Sequence, residues 1–365
     1  MKKKTFIFFL PNFLQGGAAE STTKLIIYLS KKKHLCFLIC LGRCFYRKIL
    51  EKNNIRIYEI NSKKSIFAMF KIKAIVKKIV SKNLNTLIIS NINYANVLTI
   101  IFLRSLKNLK IIIYERTPIQ ELNYNFGNIY LKIKNKIIKL LILKTYKFAD
   151  KIITNSNKTS LDLSRYIGIK VFTIYSKSIH KIIPFKKKQL ENTKILWIGR
   201  FSKEKSFDTL INAINILKNQ NIIVNVLSNS ENMDEYLKRI RKLKIENNFK
   251  FFGYKNNLRK YFNSSNLYVS TSFYESFPNS VVQAINNSLP IISSRSHGGI
   301  NDLIKNKISG VFFKTNNPKD LANKILDFIN NKQTYIYYAS NAHKNLKKIE
   351  FNKIEKKFED LLLNS

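Results

Sequence analysis

Three short segments hold the residues whose types and spacing suit chemistry on a charged, hydroxylated ligand. In Ile195-Leu-Trp-Ile-Gly199-Arg200-Phe-Ser-Lys-Glu-Lys205, an apolar run delivers Gly199 and a guanidinium to its end, with an ammonium close behind. Arginine grips two phosphate oxygens at once and lysine adds a point charge, so Arg200 and Lys205 together suit a diphosphate whose charge grows as it departs. As exposed basic residues alone they are ordinary. In Ser272-Phe-Tyr-Glu275-Ser276-Phe277-Pro278-Asn279-Ser280-Val-Val-Gln283-Ala284, a loop carboxylate precedes a helix that starts at Pro278-Asn279-Ser280 and carries Gln283 in its first turn. Glu275 and Gln283 then face one ligand from the same edge; alone, Glu275 also fits as a complement to a helix N-terminus. Finally, Pro11-Asn12-Phe13-Leu14-Gln15-Gly16-Gly17-Ala18-Ala19-Glu20 sets paired glycines between a strand and a helix. Such a turn either lets backbone N–H groups approach an anion or is a plain tight turn. It is not the G-x-G-x-x-G fingerprint of a dinucleotide site.

Other chemistries find little support. Cys36, Cys40 and Cys44 are the only cysteines. Their spacing would share a face on a helix, but the run from His34 to Leu41 reads as a buried strand broken by Gly42, which argues against a metal site. Odd, unpaired thiols suit a reducing cytoplasm. His34, His180, His297 and His343 form no ligand cluster, and only His297, beside Gly298-Gly299, falls near the candidate site. No Asp-x-Asp occurs. None of these residues points to a bound metal or cofactor.

These residues must be positioned by something, and the pattern around them is regular. Short β-branched runs (Thr5–Leu10, Leu35–Leu41, Ile55–Ile60, Thr86–Ser90, Ile111–Tyr114, Lys151–Thr154 and Val171–Ile174) alternate with helix-period segments at Ala18–Ser30, Phe67–Val80, Tyr94–Leu106 and Ile129–Phe148. Strand–helix alternation with strands apolar on both faces predicts a parallel sheet covered on both sides. The pattern restarts after a polar, Lys-rich stretch with six further strand candidates from Ile195 to Phe313, and Thr334–Leu363 reads as helix with no strand after it. The expected architecture is α/β: two doubly wound parallel-sheet domains facing across a cleft, with ligands at the carboxyl ends of the strands. The boundaries are 1–180 for a strongly basic N-terminal domain, 181–193 for a linker, 194–333 for the second domain and 334–365 for a C-terminal helical segment.

Length and composition agree. The 365 residues are enough for two domains, and 45% hydrophobic with 24% charged residues is ordinary for a globular chain. No stretch approaches the roughly 18 apolar residues of a membrane span. The start resembles a signal peptide, but its apolar run stops at Leu10 before Pro11 and reads better as a first strand. Charge is the outlier: net +43 overall, with 38 basic and 7 acidic residues (+31) in 1–190 against 27 and 15 (+12) in 191–365. A +31 half seeks a polyanion such as nucleic acid, anionic membrane or a phosphorylated ligand, unless the lysine excess is compositional drift onto solvated faces.

Taken in order, the Gly16-Gly17-Ala18-Ala19-Glu20 turn, Ala149-Asp150-Lys-Ile-Ile-Thr-Asn-Ser156, Gly199-Arg200 with Lys205, the Glu275 loop and Gly298-Gly299-Ile-Asn-Asp302 resemble glycosyltransferase family 4, the glycosyl transferases group 1. The resemblance covers nearly the whole chain. It implies the GT-B fold, two Rossmann-like domains with a nucleotide-sugar between them, and metal-independent transfer with retention of configuration. By that resemblance Arg200 and Lys205 bind the donor's diphosphate, Glu275 lies against the transferred sugar, and Ser276, Phe277, Asn279 and Ser280 meet sugar or phosphate. Gly16, Gly17 and Gly199 belong to the donor site, Gly253-Tyr254 borders the base, and Gln283 stands where relatives place a second Glu on the ribose. Departures are clear. Tyr114-Glu115-Arg116-Thr117-Pro118 lacks the His that many relatives carry there, leaving Glu115 or Arg116 for the acceptor side. Ser176 replaces an Asn, and Ser206 replaces the Gly after the phosphate Lys.

The implied activity is a hexosyltransferase moving a sugar from a nucleotide-diphosphate donor, UDP-sugar first, to a growing surface polysaccharide, lipopolysaccharide or lipid-linked glycan. The implied location is the cytoplasm, peripheral on the inner face of an anionic membrane. Alternatives are another GT-B enzyme such as a nucleotide-sugar epimerase, which needs an acid/base pair that is not evident, or a basic nucleic-acid-binding protein, for which no reading module is recognisable.

Overall fold

The computed structural model describes residues 3–14, 16–62, 65–83, 85–188, 192–228 and 233–363. Gln15 of the glycine turn and residues 189–191 of the expected linker lie outside them. The chain divides into two units, Met1–Lys177 with Asn352–Ser365, and Ser178–Phe351.

The first unit runs β1 (Thr5–Phe9), α1 (Gly17–Lys31), β2 (Leu35–Cys40), α2 (Arg47–Lys52), β3 (Arg56–Glu59), α3 (Ser65–Lys82), β4 (Thr86–Asn91), α4 (Asn93–Leu103), β5 (Leu109–Glu115), α5 (Ile129–Thr145), β6 (Lys151–Thr154), α6 (Asn157–Ile167) and β7 (Phe172–Thr173). Its seven strands order as β3-β2-β1-β4-β5-β6-β7, all parallel. β1 is central, with Phe6 opposite both Cys36 and Leu87. All five of its residues are buried, as helices on both faces require. Ile7, Phe9, Ile39, Ile88 and Ile113 carry one face of the core onto Met69, Ile72 and Val76 of α3 and Ile100 of α4.

The second unit follows the same plan: β8 (Thr193–Ile198), α7 (Phe207–Ile216), β9 (Ile222–Leu227), α8 (Met233–Lys242), β10 (Phe249–Phe251), α9 (Arg259–Asn263), β11 (Leu267–Ser270), β12 (Tyr274–Glu275), α10 (Asn279–Asn286), β13 (Ile291–Ser294), β14 (His297–Gly298), α11 (Ile300–Leu303), β15 (Val311–Phe313), α12 (Pro318–Asn330) and α13 (Lys332–Leu346). The parallel sheet reads β10-β9-β8-β11-β13-β15, and β12 and β14 make a separate two-stranded ribbon.

The stretch 334–365, read from sequence as one segment, is divided. α13 packs within the second unit through Tyr335 on Phe328. Glu350, with φ +45°, turns the chain, and α14 (Ile354–Leu363) belongs to the first unit. There Phe358 stacks on Tyr114, Glu359 accepts from Tyr28 Oη at 2.9 Å and lies 3.2 Å from His34 Nε2, and Lys4 Nζ donates to the carbonyls of Leu362 and Leu363. A charged, amphipathic stretch gives no sign of which core it joins; those partners lie more than 200 residues away in sequence.

The polar stretch after Ser178 is strapped to the second unit. Ile183 N donates to Asn286 Oδ1 at 3.1 Å, Lys186 N to Ser288 Oγ at 2.9 Å, and His343 Nε2 lies 2.7 Å from the Ile183 carbonyl. Its lysines read as a solvated linker because composition does not reveal backbone bonding.

Ser206 explains one departure. It precedes α7 with φ +48° and ψ +51°, the left-handed region in which glycine is unstrained. Its hydroxyl lies 2.8 Å from Thr209 Oγ1, partly offsetting that strain. Ser206→Gly is expected to be more stable than Ser206→Ala by about 1 kcal/mol, the reverse of the helix-interior order. Parallel urea titrations of the two variants measure this; Ala equal to or above Gly would show that the backbone strain is absent in solution.

Candidate active site

In the second sheet the chain leaves β8 towards β9 and β10 on one side, then returns to lay β11 against the other edge of β8. Neighbouring parallel strands whose connections depart in opposite directions open a crevice beyond their carboxyl ends, the usual ligand position in such sheets. Gly199-Arg200 follows β8, and Ser272 to Glu275 follow β11. The sequence motifs thus flank one switch point.

The two segments are locked together. Trp197 Nε1 donates to Thr271 Oγ1 at 3.0 Å, the Thr271 hydroxyl donates to the Lys205 carbonyl at 2.6 Å, and Phe273 N donates to the Glu204 carbonyl at 2.8 Å. A Cβ on Gly199 would lie 3.0 Å from the Trp197 ring, closer than ordinary contact, so the indole would have to shift to admit one. On this frame Lys205 Nζ reaches Glu275 Oε1 at 2.5 Å, and Ser272 Oγ donates to the same oxygen at 2.8 Å. The side chains of Lys205 and Glu275 are only 19% and 16% exposed, so the pair sits where screening by water is weak. Arg200 is different: 69% exposed and turned back to Glu204 Oε1 at 3.0 Å. Its guanidinium stands largely in water.

The ribbon fixes the backbone of Glu275. Tyr274 pairs with His297 and Glu275 with Gly298. Gly298 has φ +107°, and a Cβ there would lie 2.0 Å from the Glu275 carbonyl oxygen, so only glycine fits. Gly299 N then donates to the carbonyls of Glu275 and Ser276 at 2.9 and 3.0 Å. His297 is exposed on this ribbon one step from Glu275. Sequence reading placed the Gly298-Gly299 motif but not its task. It missed Ser272 and Thr271, whose signal is a pair of hydroxyls between β11 and Glu275.

Ser276 and Phe277 are buried beside the start of α10. Asn279 Oδ1 accepts from Ser178 Oγ at 2.6 Å, and the buried Tyr268 phenol hydrogen-bonds Ser280. Gln283 is engaged by the strap that precedes the second sheet. Its Nε2 donates to the Ser178 carbonyl at 3.3 Å, so its amide oxygen is the part left to accept from a hydroxyl. Gly253, at φ +66°, turns the chain beyond β10 and presents Tyr254 to solvent.

In the first unit Gly16 caps α1 with no side-chain cap, leaving first-turn N–H groups beyond the carboxyl end of β1. Asp150 and Ser156 prove architectural: Asp150 Oδ2 accepts from Ile111 N at 2.7 Å, and Ser156 Oγ caps α6 by accepting from Thr159 N. Asn155 bonds the buried Ser176 at 3.4 Å.

Glu115 and Arg116, expected on the acceptor side, form a buried polar cluster at the carboxyl end of β5. Both are buried, and both are engaged within the first unit. The Arg116 guanidinium donates to Asn91 Oδ1, Ser21 Oγ and Thr22 Oγ1 at 2.8–3.0 Å and lies over the Tyr114 ring at 3.8 Å. Glu115 accepts from Tyr146 Oη, Asn96 Nδ2, Thr117 Oγ1 and its neighbour's N–H. Burial pushes its carboxyl up to about 7, against those hydrogen bonds. Asn96 Oδ1 is buried without a partner, and turning that amide over would offer it to a protonated Glu115. A carboxyl raised in the fold stabilises fully below the usual carboxylate range and loses that contribution as pH rises through about 7. The parent is therefore expected to lose up to about 1.4 kcal/mol per pH unit between roughly pH 5 and 7 from this group, and Glu115→Gln to lack that slope. Denaturant titrations followed by circular dichroism at both ends of the window measure it, and identical slopes in parent and variant would discard the buried-acid account.

Among the described residues no group of three His, Cys, Asp or Glu is placed to hold a metal ion, and no helix is long and apolar enough to cross a membrane.

Residues 178–345 match the family described as Glycosyl transferases group 1, covering nearly all of the second unit. An uncharacterized glycosyltransferase of Haemophilus influenzae is 26% identical over 349 residues, 92% of this chain and 93% of that protein. An N-acetylgalactosamine-N,N'-diacetylbacillosaminyl-diphospho-undecaprenol 4-alpha-N-acetylgalactosaminyltransferase of Campylobacter jejuni is 26% identical over 195 residues, 50% of this chain and 52% of that one. Among solved structures, Anabaena HepE in complex with UDP-glucose aligns over 99% of this chain and 100% of its own at TM-score 0.77 and 17% identity, a match of fold. The two parallel α/β units are those of the GT-B fold, and the second of them belongs to the group 1 glycosyltransferases.

Proposed function

We propose that this glycosyltransferase takes its sugar from a UDP-sugar, retains anomeric configuration, and extends a surface-polysaccharide or lipid-linked glycan in the cytoplasm. The observation that carries the reading is the Lys205–Glu275 pair, clamped at the switch point of the second sheet. Lys205, with Arg200 swung in from solvent, would neutralise the diphosphate as the bond to the sugar breaks. Their charges supply there what a bound metal would otherwise provide. Glu275, oriented by Ser272 and its glycine-pinned backbone, would hold sugar hydroxyls. Tyr254 would border the base, with the Gln283 amide oxygen on the ribose. The Anabaena structure with UDP-glucose supports the donor class, and the Campylobacter relative, named for an alpha linkage to a lipid-linked acceptor, supports the acceptor class and retention.

A nucleotide-sugar panel read by thermal shift tests the reading, because a ligand that binds only the native state raises the melting temperature. UDP-sugars are expected to raise it and to donate to a glycan acceptor. A panel in which no nucleotide sugar shifts the melt would refute it.

A further inference from the structure

One face of the first unit carries an apolar stripe that its own core leaves uncovered. α4 packs between α3 and α5, and the three enclose an open groove of about 670 Å³ lined by Ile66, Tyr94, Leu98, Tyr130, Ile133 and Ile137 among others. Around it Phe67 and Phe70 of α3 are each 67% exposed, and Ile129, Ile133, Ile137 and Leu140 of α5 are all more than half exposed. These α5 positions recur at three- and four-residue spacing, so they form one ridge along the helix. The flanking charge has a single sign. α3 and α5 carry five lysines each, α4 is uncharged, and no acidic residue occurs between Glu59 and Glu115 or between Glu121 and Asp150.

We propose that this face, α3 to α5, docks on an anionic lipid bilayer, with Phe67, Phe70 and Ile133 entering the headgroup–acyl boundary and the surrounding lysines meeting lipid phosphates. Apolar centre and cationic border together match what a bilayer surface offers, an anionic layer over a hydrocarbon interior. Nucleic acid offers no interior for exposed aliphatic side chains. A second copy of this chain would set one lysine field against another. The surface lies in the first unit alone and is independent of the donor chemistry, so its failure would leave the nucleotide-sugar reading standing.

Flotation of the full chain with vesicles of neutral phosphatidylcholine, and with vesicles one third phosphatidylglycerol, tests the assignment. The parent is expected to float with the anionic vesicles and to dissociate as salt shortens the Debye length from about 10 Å towards 3 Å. Phe67→Ser/Phe70→Ser/Ile133→Ser is expected to weaken binding at least about tenfold. Lys132→Glu/Lys134→Glu should weaken it about 30-fold or more, at the usual contribution of a basic residue near anionic lipid. All these side chains are exposed, so melting temperatures should match the parent. Lys238→Glu/Lys242→Glu, on α8 of the second unit, is the charge-matched control and should bind like the parent. The proposal is overturned by a parent that stays unbound, by an equal loss in the α8 control, or by a stable dimer that the Phe67/Phe70/Ile133 variant dissolves.

Discussion

Lys205→Ala is expected to cut sugar transfer by about 10²-fold or more while nucleotide still binds and the fold survives. The magnitude follows from removing one preorganised charge aimed at a leaving group in a poorly screened site. Here the loss has two parts. The ammonium no longer meets the departing diphosphate, and Glu275, 2.5 Å away, loses the cation that neutralises it beside that same diphosphate. The turn itself should hold, because Thr271 bonds the Lys205 carbonyl rather than its side chain, and Phe273 N bonds the Glu204 carbonyl. Stability should therefore fall by on the order of 1 kcal/mol, as for a partly exposed ion pair. Glu275→Gln separates the parts, since it keeps the hydrogen bonds of the side chain and removes its charge. If Lys205 and Glu275 act as one unit, the double variant should be no slower than the slower single one. Arg200→Ala should cost less, because its guanidinium is largely in water and already shared with Glu204. Steady-state kinetics on the four proteins decide it. A folded Lys205→Ala enzyme with parental turnover would end the idea of a diphosphate clamp.

Much of this was legible in the chain. Parallel strands buried on both faces must be continuous apolar runs, and those runs stood out: Lys151–Thr154 matches β6 to the residue, and Leu35–Leu41 exceeds β2 by one. Elements with few apolar residues were missed. α6 relies on its Ser156 cap and a small buried face, and the two-residue strands β12 and β14 have no period to detect. Burial at strand ends was equally hidden. Nothing local to Glu115 and Arg116 signals it, because their partners Ser21, Thr22, Asn91, Asn96 and Tyr146 are scattered from the first helix to the end of α5. Gln283 could be placed on a helix from spacing, but its bond to the Ser178 carbonyl depends on where a distant extended strap settles. Local pattern reveals what a segment becomes; it reveals much less of what the segment touches.

Gly298→Ala is expected to cost at least as much activity as Lys205→Ala, although residue 298 contributes no side chain to the site. Its Cβ would sit 2.0 Å from the Glu275 carbonyl oxygen and 2.8 Å from the carbonyl carbon, against backbone that has no rotamer to yield. Relief requires the Glu275 peptide to move by about 1 Å or more, which breaks the Gly299 N–H bond to the same carbonyl and swings the carboxylate away from Lys205 and Ser272. Displacements of that size in a catalytic constellation cost about 10²-fold, and the φ of +107° adds backbone strain that alanine cannot relieve. Gly253→Ala is the matched control: its φ of +66° is also left-handed, yet nothing lies within 4 Å of the added methyl. That variant should lose on the order of 1 kcal/mol of stability and little turnover. Comparing kcat and melting temperature for the two separates steric displacement of Glu275 from the general cost of replacing a left-handed glycine. Were Gly298→Ala to turn over like the parent, the position of the Glu275 backbone would not matter to the reaction, and the carboxylate would have to be removed from the site.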